Sequence, residues 1–368
     1  MTVNNAAVSV NIPSVVGGSQ SITSQATNSN IVRNVQTVVS IDKGYGTSFY
    51  YGIMVGPGGL DLEGNAQVMG NVFSDGNIFQ TGGSSTINND VVVSGNGHYI
   101  SNVHVKGNVM AYSCLKGASG AGVVDGNLTY VTGGTNTCKV NGTTKTQSTE
   151  IAQQPLPIPQ SQVTDWENVA IGDGSIIYNG NYTSPGSGTA SLLGPGVING
   201  SVTLSGSVVF TTGPIEITGN LNISGNATLN MKGVLYVKGN ITLLNSGKIV
   251  LDSSYGSLGG VVIADGIIST GGSGTFKSTG QTGSYMLVIS NSNATNAITV
   301  ANSNSTGTAF YTTAGTLYLA GNVTAVEATG YAVKIDGSSS VQYSSGLVNI
   351  YFTSGPGGGL KIISWQEN

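Results

Sequence analysis

Gly-Asn pairs punctuate this chain at a regular spacing, and between them stand apolar alternations only three to five residues long. The pairs are Gly64-Asn65, Gly70-Asn71, Gly76-Asn77, Gly107-Asn108, Gly219-Asn220, Gly239-Asn240 and Gly321-Asn322. Gly and Asn are the residues that tolerate left-handed backbone angles, so each pair reads as a corner. Alternations such as Ile215-Glu216-Ile217, Leu221-Asn222-Ile223 and Ile241-Thr242-Leu243 read as short strands with alternate side chains buried. A longer period overlies the corners. Shifted by 20, Ile215 falls on Leu235, Ile217 on Val237, Leu221 on Ile241, Ile223 on Leu243 and Leu229 on Ile249. Shifted by 19, Val202 falls on Leu221, Leu204 on Ile223 and Phe210 on Leu229. Three short strands per repeat of about 20 residues are the signature of a β-solenoid, whose coils bury their inward side chains against the coils above and below. The predicted fold is an all-β, right-handed parallel β-helix, with Asn side chains at equivalent corners stacked in a hydrogen-bonded ladder.

Composition agrees and removes competing classes. The 368 residues include 57 glycines without the every-third-position period of collagen. With 39% hydrophobic residues the chain has material for a core, which argues against disorder. A net charge of −4 and a single arginine, Arg33, exclude nucleic acid as a partner, since phosphate binding needs clustered cations. No apolar run reaches the ~18 residues of a membrane-spanning helix.

Four segments follow from the pattern. Residues 1–45 lack Gly-Asn corners and read as longer strands of a small antiparallel sheet. Residues 46–131 form a first solenoid block. Residues 132–193 interrupt the coils; they contain Pro155, Pro157 and Pro159, which force an extended path, and one helical turn predicted at residues 165–170. Residues 194–368 form a second block, with residues 360–365 and their Trp365 expected to cap it. A capped end weighs against a self-polymerising scaffold.

The chemistry is sparse. Hydrolase or lyase action on polysaccharide needs converging carboxylates and usually a cation. Asp252 and Asp265 lie near coil edges with no basic partner expected one coil away, and read as solvated turn residues. His98 and His104 are the only histidines, six residues apart and so on one face of a strand, and a zinc site needs three or four ligands. No phosphate loop or calcium nonapeptide is present, so no cofactor and no metal is expected. Cys114 and Cys138 are the only cysteines and are expected to form a disulfide at the end of the first block if the protein is exported. Tyrosine dominates the aromatics, and Tyr311, Tyr318, Tyr331 and Tyr343 are the candidate surface-contact rings.

Several longer strings carry a family resemblance. They are Phe49-Tyr50-Tyr51-Gly52-Ile53-Met54-Val55-Gly56-Pro57-Gly58-Gly59-Leu60, Gly70-Asn71-Val72-Phe73-Ser74-Asp75-Gly76-Asn77-Ile78, Leu251-Asp252-Ser253-Ser254-Tyr255-Gly256, Val262-Ile263-Ala264-Asp265-Gly266 and the final Ser364-Trp365-Gln366-Glu367. Together with Leu156-Pro157-Ile158 before Trp166, the chain resembles PilX-type, prepilin-related surface proteins of candidate-phylum bacteria over nearly its whole length. The resemblance implies an extracellular, pilus-associated or envelope-anchored protein, whose first 45 residues are strands of a pilin-like head. It also implies a prepilin leader and hydrophobic helix, neither of which is present in these residues. It transfers no catalytic residue. The expected function is structural or adhesive, with pilus subunits, another cell surface or a glycan as partner. The competing classes are a carbohydrate-active β-helix enzyme and a self-polymerising scaffold.

Overall fold

The computed structural model describes residues 2–3, 6–11, 19–29, 31–42, 49–117, 122–188, 192–349, 352 and 359–367. It is an all-β chain whose main body is a parallel β-solenoid of about 15 turns with about 19 residues per turn. Each turn places short strands on three faces. Inward residues along the first face stack in one continuous row: Ile215, Leu235, Val262, Val288, Phe310, Ala328, Ile53, Val72, Val91, Val109 and Leu128 are in register from turn to turn. All eleven are buried, as period-2 alternation requires of a strand with one face inward.

That row contains the least expected feature of the fold. It runs from Ala328 directly to Ile53, so the last turn of the second block sits on the first turn of the first block. The seam is closed on all faces: Thr329 pairs with Met54, Val333 with Leu60, Ile335 with Leu62, and Val341 with Val68. The chain therefore enters the solenoid in its middle, winds to one tip at strand Thr144–Gln147, returns, and resumes at the other tip with strand Ile176–Asn179. The segment outside the stack is residues 148–175, narrower than the 132–193 expected, because strands Lys139–Val140, Thr144–Gln147 and Ile176–Asn179 still belong to turns.

Corners behave as their residue types demand. Gly83 has φ +79°, and a Cβ there would lie 1.8 Å from the Gly64 carbonyl oxygen of the preceding turn, so only glycine lets the turns approach. The amide ladder forms as expected. The side-chain oxygens of Asn220 and Asn240 accept from the backbone N–H groups of Asn240 and Ile267, at 2.8 and 2.9 Å. In the first block Asp90 replaces one amide, accepting from the Asn108 N–H at 2.7 Å.

Strands Ala6–Asn11, Ser19–Asn28 and Ile31–Asp42 form the small antiparallel sheet. Its fourth long strand is the C-terminal Gly359–Glu367, antiparallel to Ile31–Asp42. This corrects the expectation of a cap: residues 360–365 join the N-terminal sheet and do not close a solenoid tip. The argument they offered against polymerisation goes with them.

Candidate functional site

Residues 148–175 lie along the outside of the first face and join the two blocks. On the first block, one and two turns from the seam, the Gln154 N–H donates to Asp75 Oδ1 at 3.3 Å and the Gly95 N–H donates to the Ile151 carbonyl at 3.0 Å. Past the seam, the Tyr311 hydroxyl donates to the Ile158 carbonyl at 2.9 Å. Helix α1 (Gln160–Ile171) follows, where only a single turn was expected. It buries Val163, Trp166 and Ala170, spaced i, i+3, i+7, which is one helical stripe. That stripe is legible in the sequence, although the three preceding prolines draw attention to the extended path instead.

Beneath the helix the outward side chains of the second block are themselves apolar. Tyr236, Ile263, Ile289 and Tyr311 stand in one outward row and pack with Ile158, Val163 and Trp166 into a second core outside the coil. Phe49 and Phe352, where the chain enters and leaves the solenoid, complete it, Phe352 bridging to Gly259 of the second block. Their rings meet edge to face with centroids 6.2 Å apart, and Trp166 meets Phe352 in the same way at 6.5 Å.

At the edge of this core lies a polar network. Asn291 Nδ2 donates to both Asp265 Oδ1 and Glu167 Oε1, each at 2.9 Å, so one amide holds two carboxylates together. The Tyr236 hydroxyl donates to Asp265 Oδ2 at 2.7 Å. Next to it Lys238 pairs with the nearly buried Glu216 at 2.9 Å. Burial raises the Glu167 carboxyl above its ordinary range; Asp265 adds to the rise while the Asn291 hydrogen bond and Lys238 oppose it. Burial also pushes the Tyr236 phenol up, with Asp265 reinforcing. The Asn291 amide oxygen and Glu216 Oε2 are buried with no hydrogen-bond partner. The structure thus corrects the reading of Asp252 and Asp265 as acids without a cation one coil away. Lys232, one turn from Asp252, lies 4.0 Å from it, and the pairing of Val237 with Ala264 sets Lys238 beside Asp265. The second relation escapes a 20-residue alignment because residues 252–259 lengthen that turn.

A further acid was missed altogether. Glu327 is fully buried in the seam turn, in the outward register row of Leu287 and Ala309. The Thr329 hydroxyl donates to its Oε1, and its Oε2 has no partner. Burial holds its pKa well above the carboxylate range. Nothing in the local sequence marks an outward-facing position as buried.

The four candidate contact tyrosines separate. Tyr311 is 1% exposed beneath the return segment, and Tyr343 is half-buried with its hydroxyl donating to the Phe49 carbonyl at 2.6 Å. Both are structural, which corrects their assignment as surface rings. Tyr318 donates to Asp336 at 2.9 Å under the Lys334 ammonium, 5.5 Å from its ring centre. Tyr331 alone presents its ring, at 46% exposure. Cys114 and Cys138 are bonded, with Cα atoms 5.6 Å apart, and tie adjacent turns near the first-block tip. The two histidines do not meet: His98 Nδ1 lies 2.7 Å from the Ser94 carbonyl, and His104 Nε2 lies 2.9 Å from Asp125. Among the described residues no group of three metal-ligating side chains occurs, and no helix is long and apolar enough to cross a membrane.

No family model matches the chain, and no curated protein matches it. Among solved structures it is similar to the competence-associated pilin ComZ from Thermus thermophilus, at 12% identity and a TM-score of 0.26, over 100% of this chain and 88% of that one. It is also similar to the C-terminal domain of tapirin from Caldicellulosiruptor kristjanssonii, at 9% identity and a TM-score of 0.20, over 82% of this chain and 94% of that one. Overlaps of that quality carry no argument about function.

Proposed function

We propose that this chain is a non-enzymatic structural and adhesive protein of the cell surface, pilus-associated or envelope-anchored, that displays the solenoid as a stiff rod. One observation carries the reading. The chain enters and leaves the solenoid side by side, at Phe49 and Phe352, and the flanking strands Ile31–Asp42 and Gly359–Glu367 pair with each other. All the turns are therefore one insertion in a small antiparallel sheet, the arrangement expected of a displayed module. The pilus link itself rests on the sequence resemblance alone. Immunogold labelling of intact cells with antibody to the solenoid, together with binding of the purified chain to sheared pili, tests it. Surface label and pilus or cell binding are expected; label confined to the cell interior would overturn it.

A second reading has one observation in its favour. Glu167 and Asp265, held on one amide with the first carboxyl raised, are a carboxylate pair of the kind glycoside hydrolysis uses. Their first role here is to anchor helix α1 to the sheet. Turnover on a panel of polysaccharides that disappears in Glu167→Gln would establish the enzyme and remove our choice.

A further inference from the structure

The third face of the second block carries a cleft that the reading above does not use. It is an open depression of about 350 Å³, lined by Asn226, Ser246, Lys248, Ser273, Lys277 and Asn304, with Thr275 and Asn302 completing it. It forms where the stack of that face thins. Strands Thr228–Met231, Lys248–Leu251 and Thr275–Lys277 are in register, but the following turn contributes only the bridge of Asn304 to Thr324. The Thr275 hydroxyl donates to the Asn304 carbonyl at 3.0 Å and holds that edge. The cleft thus spans several turns along the solenoid axis, and its polar groups repeat at the strand spacing of about 4.8 Å.

Its charge is distinctive. In a chain of net charge −4, no carboxylate among the described residues lines the cleft. Lys232, Lys238 and Lys334 of the same block each lie beside an acid, at 4.0, 2.9 and 3.0 Å. Lys248 and Lys277 have no ion pair among the described residues, and both face this cleft. Unpaired ammonium groups beside amides and hydroxyls form a surface that binds anionic, hydroxyl-rich ligands. The absence of an aromatic ring from the lining disfavours neutral sugars, which grip ring faces, and stacked bases. The open shape and axial repeat suit a linear polymer better than a small molecule.

We propose that this cleft binds a segment of acidic polysaccharide, with Lys248 and Lys277 pairing its carboxylates and Asn226, Ser246, Ser273 and Asn304 taking its hydroxyls. This holds however the rod is displayed, and its failure leaves the surface reading standing. The test is titration of the whole chain with oligogalacturonate, with its methyl ester as the uncharged analogue and inorganic phosphate as competitor. Chemical shifts of the cleft residues report the site, and circular dichroism verifies the fold of each variant. The acid oligomer is expected to bind. Esterification and Lys248→Gln/Lys277→Gln are each expected to weaken it, by about tenfold per lysine, the worth of a charge-assisted hydrogen bond. Lys145→Gln, on the distant first block, is expected to leave binding unchanged and provides a folded control. No binding of the acid oligomer, equal binding of the ester, or undiminished binding by the folded double variant would each overturn the proposal. So would displacement by phosphate at equal molarity, which identifies a simple anion site.

Discussion

The two blocks share one coil geometry and are secured by different means. The first block ends in polar strand Thr144–Gln147 and is pinned near that tip by the Cys114–Cys138 bond, while its outward row on the first face goes from buried at the seam, at Met54 and Phe73, to open towards the tip, with Met110 36% exposed. The second block has no disulfide; its outward row is mainly apolar and roofed by helix α1 and the return segment. A covalent tie removes freedom from the unfolded chain, whereas a packed roof adds a second layer of buried surface. The difference teaches that a solenoid whose turns see only their neighbours gains long-range cohesion only from something laid across them.

Breaking the roof gives the largest expected effect. Trp166→Ala is expected to cost about 3–5 kcal/mol, the range for a buried aromatic, and to expose second-block amides to hydrogen exchange while first-block protection persists. Uniform loss across both blocks would show that the roof does not act locally. Breaking the covalent tie comes next. Cys138→Ser is expected to cost about 2–4 kcal/mol and to loosen only the turns near Lys139–Val140, with exchange in the second block unchanged.

The seam sharpens the comparison through pH. Because the folded pKa of Glu327 is raised, its contribution to stability is full below the unfolded Glu value of about 4.3 and is lost as pH rises towards the folded value. Denaturation midpoints of the parent chain are expected to fall between pH 4 and pH 8. Glu327→Gln should flatten that slope and be the more stable protein at pH 8. Parallel curves would mean that the carboxyl is not buried in solution. The smallest effect concerns the tips. Ile176, Ile177 and Tyr178 are 60%, 43% and 43% exposed on a terminal strand that, among the described residues, is paired on one side only, an edge that invites association. Sedimentation at high concentration is expected to reveal weak self-association that Ile177→Lys abolishes and Lys145→Gln, at the opposite tip, does not. A monodisperse parent chain would refute this.

The inner row was legible because alternation and glycine corners are local signals, repeated at 19 or 20 residues. The order of the turns was not, since a periodic sequence says which residues face inward and nothing about which turn rests on which. Ala328 and Ile53 carry no mark of being neighbours. The Glu167, Asp265 and Asn291 cluster draws on three separate segments, and the lengthened turn at residues 252–259 hid its cation. Tyr311 looked like a surface ring because its position faces outward; only the return segment makes it core.

The seam also bears on how such a protein changes length. With the chain entering and leaving at mid-rod, both tips are free of the flanking sheet. A duplicated or deleted turn at either tip alters reach by about 4.8 Å without disturbing the attachment. Such indels impose one demand: the return segment has to lengthen or shorten with every turn added to or removed from its path. Reach and strap length are therefore expected to vary together among natural variants of this architecture, while the residues around Phe49 and Phe352 hold still.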